Sequence, residues 1–410
     1  MSNPTLLGTG GHKDGSFSGT TYYSNVGLGR SPMIAQFTNE ATVGQASPLA
    51  GTISYLSWGW DTALGVSLTL VLNKNSSSTV LAVAIGAATT GWVTDSTHSA
   101  SLSSGDTLDF GASLNSGTSY SGSFYCISAR FDATTNSAQM IAAVGPNPIS
   151  PTVSPRFFNF LGIAGAPALI ESDKQFKSLS AGTWKSMACY IANNTFTKGT
   201  TAANRINGAS GSMAISIPQS TSGYFADNIS THTDAVAAGD FLDYAFAATE
   251  AGGANNFNID WIGAHFWATD SSLCMIGGSP DAPALVPDPR NPSESTYYSS
   301  LFGGGTIGPP APRASGLFPY ALNASKYTNH ITDASQIPHQ AAATFTLLKN
   351  GAASALAVSA TGGATGYFTD NTHSVDFAVG DTCANRIVLT SNLTNTYIAW
   401  AGAALLLEAS

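Results

Sequence analysis

The stretch from 93 to 110, VTDSTHSASLSSGDTLDF, places Asp95, Thr97, His98, Ser99, Asp106 and Asp109 in one short run. Asp, His and Ser are the ingredients of an activated nucleophile, in which the imidazole takes the hydroxyl proton and a carboxylate orients the ring. That chemistry needs the base beside the nucleophile and a third group behind the base. Here Ser99 directly follows His98 in a run that reads as a strand, and successive strand residues point to opposite faces. No G-x-S-x-G turn accompanies them. The competing chemistry is scaffolding, in which Asp, Thr and His side chains bond nearby backbone groups and fix the entry of a strand.

The run recurs, which favours scaffolding. Residues 368–381, FTDNTHSVDFAVGD, repeat it position for position, with Asp370, Thr372, His373 and Asp381 in the places of Asp95, Thr97, His98 and Asp106. A third copy lies between them in NRINGASGSMAISIPQSTSGYFADNISTHTDAVAAGD (204–240). It keeps Asp227, Thr231, His232 and Asp240 after two inserted residues, and it replaces Ser99 by Thr233. No catalytic residue and no cofactor is assigned. Three histidines around an axis would offer nitrogens to a cation. The acidic turns would offer oxygens to Ca²⁺, although the carboxylates are too sparse for an EF-hand loop.

A second marker keeps the same register. TYYSNVGLG, RFFNFLGIAG and TYYSSLFGGG carry the aromatic pairs Tyr22–Tyr23, Phe157–Phe158 and Tyr297–Tyr298 ahead of glycines. These pairs are candidate contacts with a neighbouring subunit, against the alternative of packing within their own unit. The chain therefore reads as three tandem copies of one unit of about 135 residues, a size that suits one domain each.

Within each unit the apolar pattern has period two, the mark of half-buried strands. TISYLSWGW runs through Ile53, Tyr55 and then Leu56 or Trp58; SLTLVLNKN follows Leu68, Leu70 and Leu72; SMAISIP follows Met213, Ile215 and Ile217. LNKN, RING and LKNG hold one position in the three copies, and Asn-Gly suits a two-residue hairpin turn. The fold class expected is all-β, with three tandem antiparallel β-sandwich domains of jelly-roll type. Proline-rich segments at 144–156 and 277–292 mark the joints. The expected division is a docking arm at 1–20, then repeats at 21–142, 143–285 and 286–410. Proline-stiffened joints would string the units semi-rigidly, with the later ones projecting.

Composition excludes other classes. Only 10% of residues are charged, against about 25% in an average soluble domain, which starves long helices of surface ion pairs. The net charge is −9 with 15 Lys plus Arg and no basic cluster, so phosphate neutralisation gives no grip on nucleic acid. No apolar run approaches the roughly 18 residues of a membrane span. The N-terminus lacks a signal-peptide layout, so synthesis in a host cytoplasm is expected. Cys126, Cys189, Cys274 and Cys383 show no metal spacing and read as small buried hydrophobes. Trp58 and Trp60 share one strand face, and Trp261 and Trp267 lie on the last strand of unit two. Exposed tryptophans would stack on glycans.

The string KNG…L-x-V…TG-x-F-x-D-x-THS-V-x-F-x-x-GD at 349–381 resembles a repeated β unit of tailed-bacteriophage surface proteins, among them head-fibre, spike and tail-fibre proteins. The likeness covers about 60 residues in each unit. In outline the unit is also similar to the C1q/TNF jelly roll, which implies a trimeric or pseudo-trimeric arrangement. The resemblance implies a non-catalytic virion-surface structural protein, displayed as a capsid decoration, spike or fibre, with a contribution to host-surface attachment as a further expectation. Its implied partners are other virion proteins, reached through the N-terminal arm, and further copies of itself in a homo-oligomer such as a trimer. The alternatives are a carbohydrate-binding adhesin module that contacts host glycans and, third, a polysaccharide-degrading enzyme. The last needs two carboxyls about 5–10 Å apart in a cleft, and the acids here are scattered in turns.

Overall fold

The computed structural model of the chain describes residues 4–9, 13–17, 21–26, 43–60, 65–115, 120–134, 139–143, 147–149, 155–160, 170–227, 231–248, 256–270, 272–278, 284–285, 294–299, 301, 316–333, 342–361, 363–390 and 398–409. The protein is all-β and its sheets are antiparallel. Among the described residues there is no α-helix, and a single 3-10 turn stands at Glu171–Asp173.

The first unit contains β1 (Pro4–Thr9), β2 (Lys13–Phe17), β3 (Tyr22–Asn25), β4 (Gln45–Ala46), β5 (Gly51–Trp60), β6 (Leu68–Lys74), β7 (Ser77–Ile85), β8 (Gly91–Leu102), β9 (Thr107–Leu114) and β10 (Tyr120–Ala133). They form two facing sheets. One runs β1-β10-β5-β8, with β2 also on β10, and the other runs β3-β9-β6-β7, with β4 also on β9. The chain crosses between the sheets as it goes, in the manner of a jelly roll.

The second unit repeats this with β11 (Gln139–Ala143), β12 (Asn147–Ile149), β13 (Arg156–Asn159), β14 (Phe176–Lys177), β15 (Gly182–Asn194), β16 (Thr200–Ile206), β17 (Ala209–Ile217), β18 (Gly223–Ala226), β19 (Thr233–Val236), β20 (Phe241–Ala248) and β21 (Phe257–Ala268). The third does so with β22 (Leu273–Gly278), β23 (Ala284–Leu285), β24 (Glu294–Ser299), β25 (Gly316–Leu317), β26 (Leu322–Asp333), β27 (Ala342–Lys349), β28 (Ala352–Thr361), β29 (Gly366–Asp370), β30 (Val375–Phe377), β31 (Thr382–Thr390) and β32 (Ile398–Ala409). The sheet orders match those of the first unit, except that the single strand β8 is represented by two, β18 and β19 in unit two and β29 and β30 in unit three.

The pattern of each strand explains its place. On β7, Leu81, Val83 and Ile85 are buried while alternate residues face solvent. Met213, Ile215 and Ile217 on β17 and Leu356, Val358 and Ala360 on β28 do the same. The uneven alternation in TISYLSWGW has a cause: Tyr55 has φ 59° and the register with β8 shifts between Ser54 and Leu56. This bulge turns Leu56, Trp58 and Trp60 to the core, and all three are fully buried with Ile53. The hairpins carry positive φ at both central positions, Asn75–Ser76, Asn207–Gly208 and Asn350–Gly351, as the right-handed strand twist requires of a two-residue turn.

Several expectations about organisation are corrected. The boundaries near 142 and 285 do not fall between the sheets, because β11 already pairs with β21, and β22 and β23 pair with β32. The proline-rich segments contribute edge strands rather than only joints: Pro148 sits on β12 against Asn258, an edge place where its missing N–H does no harm. The segment expected as a docking arm is likewise sheet. Pro4–Thr9 and Lys13–Phe17 hydrogen-bond along β10, as β11 and β12 do along β21, and Thr5 and Leu7 are buried.

Nor are the units strung in a line. The end of β4 in unit one meets the outer face of unit two, where the Ala46 carbonyl lies 3.1 Å from His265 Nε2. The matching region of unit two meets the outer face of unit three. There Lys326 Nζ donates to the Leu179 carbonyl at 3.2 Å, and the Leu179 N–H points at Met275 Sδ at 3.3 Å. Unit three returns to unit one, with β25 touching β10 and the Arg130 guanidinium 5.7 Å from the Tyr320 ring centre. Each unit so touches both others through the same two surfaces, and the contacts close on themselves. Burying the outer faces of these sheets removes apolar groups such as Met275 and Leu406 from water.

A chain beginning at residue 18 would leave the β10 edge bare and remove Leu7 from the first core. Its melting temperature is expected to fall by several degrees, or the chain to aggregate, when compared with the full chain by differential scanning fluorimetry. An unchanged melting curve would restore the segment to the role of a separable arm.

Candidate functional site

The histidine motif sits where the two sheets of a sandwich expose their edges side by side, with β7 the outer strand of one and β8 the outer strand of the other. The Asp95 carboxylate bridges them. It accepts the Ala82 N–H from β7 at 3.1 Å, the N–H groups of Thr97 and His98 at 3.1 Å each, and the Thr97 hydroxyl at 3.0 Å. His98 Nδ1 lies 3.0 Å from its Oδ2. Unit three repeats the arrangement: Asp370 accepts from the N–H of Ala357, Thr372 and His373, and from the Thr372 hydroxyl, with His373 Nδ1 at 2.9 Å. In unit two Asp227 accepts the Ala214 N–H at 2.9 Å and faces His232 Nδ1 at 2.9 Å. Thr231 stands exposed after the inserted residues.

The carboxylate thus caps an N–H that an edge strand would otherwise leave unpaired. Its own side chain is 6% exposed in both Asp95 and Asp370, whereas the imidazoles of His98 and His373 are more than half exposed. Burial by itself would raise the Asp95 carboxyl. The backbone N–H groups of Ala82, Thr97 and His98 and the His98 ring outweigh that and hold it below the usual carboxylate range. Asp370 is held well below that range by the same balance, burial against donors from Thr372, Ala357 and His373. With Nδ1 turned to the carboxylate, each histidine orients the anion rather than a serine. Ser99 pairs with Ser54 across β8 and β5.

The Gly-Asp turns form a second lock. Asn75 Nδ2 donates to Asp106 at 2.7 Å, and the Thr107 N–H returns to Asn75 Oδ1 at 2.9 Å. Asn207 and Asp240 pair at 2.8 Å, and Asn350 and Asp381 at 2.6 Å, with Phe241 and Thr382 returning the second bond. The hairpin asparagine therefore both accepts the left-handed conformation and ties the hairpin to the turn ahead of the next strand. Its partnership with the Gly-Asp aspartate went unseen in the sequence, although the two recur together in every unit. Among the described residues no group of three or more His, Cys, Asp or Glu side chains is placed to hold a metal ion, and each motif histidine bonds the aspartate of its own unit.

The aromatic pairs lie on the edge strands β3, β13 and β24. Phe157 and Phe158 are buried within unit two, which corrects their reading as an outward contact. Tyr297 packs on the core of unit three and Tyr298 on Leu348 and Ala384. Tyr23 is half-buried, and the Tyr22 side chain lies outside the described residues. Trp58, Trp60 and Trp261 are core residues rather than platforms. Cys189, Cys274 and Cys383 are buried free thiols, and the Cys126 side chain lies outside the described residues.

One cluster escaped sequence reasoning. Register sets Asn73 against Asp109, Arg205 against Asp243 and Leu348 against Ala384. In unit one the pair bonds at 2.9 Å. In unit three it is apolar. In unit two Arg205 reaches both oxygens of Glu171, at 2.6 and 3.1 Å, beside a fully buried Asp243. Burial, and then the Glu171 charge, push the Asp243 carboxyl up to about 8, against the pull of Arg205. Two carboxyls that looked scattered in sequence are adjacent here, but both oxygens of one are engaged by arginine and the other is enclosed. Asp243 stands within a strand, in FLDY, rather than in a turn, which is the sequence signal that set it apart.

No protein-family pattern matches the chain, and no curated protein matches it. Among solved structures, a protein of an archaeal virus with a triple jelly-roll fold and a turret assembly is 12% identical at TM-score 0.18, covering 98% of this chain and 91% of that one. An insecticidal delta-endotoxin of Bacillus thuringiensis is 6% identical at TM-score 0.20, covering 57% of this chain and 54% of that chain. A structure of infectious bursal disease virus, Gx strain, is 6% identical at TM-score 0.16, covering 100% and 81%. At such scores these likenesses bear no inference about this chain.

Asp370→Asn places an amide donor among N–H donors and is expected to cost about 2–3 kcal/mol, while His373→Ala, at an exposed ring, costs under about 1 kcal/mol, both read by urea denaturation. The folded carboxyls of Asp95 and Asp370 lie below the usual carboxylate range. Their stabilisation is therefore complete above the unfolded value and is lost as pH falls below it through the folded values. The acid limb of Asp370→Asn should be flatter than that of the parent. Asp243 has the opposite sign, because the folded state holds its proton while the unfolded chain releases it, so stability falls as pH rises from about 4 towards 8. Asp243→Asn is expected to raise the melting temperature at pH 8 more than at pH 4.

Proposed function

We propose that this chain is a non-catalytic structural component displayed on the surface of a bacteriophage virion, as a capsid decoration, spike or fibre, with other virion proteins as its partners. The observation that carries this reading is the use made of the recurrent polar residues. In every unit the Asp and His of the motif, and the Asn-Asp pair beside it, are taken up in bonds that hold strands and turns together. The sequence likeness at 349–381 to phage surface modules supports the same reading. So does a ring of three sandwiches that seals the outer faces of its own sheets, which suits a particle exposed to the environment. Docking through a free arm at 1–20 is less favoured, since β1 and β2 belong to the first sandwich. A homo-oligomer would add copies to a ring that already closes within one chain.

Purified virions of the phage that encodes the chain should contain it in stoichiometric amounts by quantitative mass spectrometry, and an antibody to it should decorate intact particles in negative stain. Its absence from washed particles would refute the proposal.

A further inference from the structure

Each junction carries an aromatic residue at one equivalent place, ahead of the motif aspartate: Trp92 on β8, Tyr224 on β18 and Tyr367 on β29. Two of them are consumed in packing. Trp92 lies against the core of unit three. Tyr367 stacks on His330 at 4.0 Å and 11°, meets Phe241 of unit two at 5.3 Å and donates its hydroxyl to the Gln175 carbonyl at 2.8 Å. Tyr224 differs. One side of its ring faces Trp261, with centres 6.0 Å apart, yet the residue is 50% exposed.

One local difference accompanies this, an aromatic cap on Tyr367. Phe241, which meets Tyr367, directly follows the Gly-Asp turn of unit two. Unit one has Thr107 at that position, as the register of β4 with β9 and of β14 with β20 shows. The junction between units two and three leaves a space of about 270 Å³ with no aromatic ring in its lining, whereas that between units one and two holds a cleft of about 310 Å³, near the lower end of small-ligand sites, which run from roughly 300 to 1,000 Å³. It is lined by Tyr224 with Lys185, Ser186, Asp227, His232 and His265. His265 closes its wall with the bond to Ala46, and burial pushes its imidazole down to about 4, so it is neutral near pH 7. His232 turns Nδ1 to Asp227, which leaves Nε2 to meet a ligand. The Lys185 ammonium lies 3.5 Å from the Trp267 ring centre.

From these groups we infer that the cleft between units one and two binds a neutral sugar residue of a glycan, stacked on Tyr224 and hydrogen-bonded by His232, Lys185 and Ser186. The half-exposed ring offers its negative face to the C–H side of a sugar ring. The polar groups include both donors and acceptors, as hydroxyls require. One cation and one carboxylate share the cleft, which disfavours a phosphate or another polyanion. The inference goes beyond the proposed function and rests on it for the virion setting, to which it adds attachment to a host surface. Its test uses the purified chain, so absence from virions and absence of sugar binding are separate results.

The full chain would be screened on an oligosaccharide array, and the best neutral ligand followed by saturation-transfer NMR and titration. Tyr224→Ala should weaken binding at least about tenfold, or 1.4 kcal/mol, and Tyr224→Trp should retain it. Thr107→Phe, which supplies the missing cap, should abolish binding without lowering the melting temperature. The inference is overturned if no neutral glycan binds at millimolar concentration, or if binding survives both Tyr224→Ala and Thr107→Phe. Binding confined to acidic glycans and lost in Lys185→Ala alone would overturn it as well.

Discussion

A β-sandwich that is not closed into a barrel must do something with the N–H groups along its outermost strands. In this protein a buried carboxylate does it. Asp95 and Asp370 stand on the edge strand of one sheet, and Asp227 directly after it, and each takes an N–H from the edge strand of the other, at Ala82, Ala214 and Ala357. Much of the local sequence follows from that bond. The Asp95 and Asp370 anions, nearly out of water, need several donors to stay ionised, and the Thr and His behind them supply those donors. At Asp227 the same purpose is met with His232 across a longer loop. The Asn-Asp lock fastens the hairpin to the turn before the next strand, so the two sheets are tied at separate places by short polar bonds.

With each sandwich fixed in this way, the outer faces become available for assembly. The three junctions use equivalent surfaces but unlike side chains: His265 under Ala46, Met275 and Lys326 under Leu179, and Arg130 over Tyr320. A homotrimer would have to make these contacts identical. A single chain is released from that requirement, and so Tyr367 can be engaged by Phe241 and His330 at one junction while Tyr224 stands half-exposed at another. The Arg205–Glu171–Asp243 group shows the same divergence on the opposite sheet, where the equivalent sites are a neutral-acid pair in one unit and apolar in another.

What was legible in the sequence is what period and repetition encode. Alternation gave the strands around Leu81, Met213 and Leu356, and the Asn-Gly turns gave the hairpins, because both are local consequences of backbone geometry. The shared Asp-x-Thr-His run pointed to bonds with backbone groups, but not to a bond reaching Ala82 on the other sheet. That partner is set by how two edges meet in space, and nothing local reports it. In residues 4–9 and 13–17 the Gly and Ser content resembles a tail, whereas their role is fixed by the vacant edge of β10 far along the chain. The ring was hidden for the same reason: its contacts join Ala46 to His265 and Leu179 to Lys326, and neither pair has a local signature. The bulge at Tyr55 was visible only as a break in alternation.

Amide hydrogen exchange, resolved by NMR or by fragment mass spectrometry, addresses the carboxylate bridge most directly. The N–H groups of Ala82, Ala214 and Ala357 should be as slow as interior ladder amides in the parent protein, and replacing Asp95 by Asn should accelerate Ala82 by orders of magnitude while leaving Ala214 and Ala357 slow. Exchange at these three positions as fast as at ordinary exposed strand edges, or an Ala82 rate indifferent to the loss of Asp95, would contradict it.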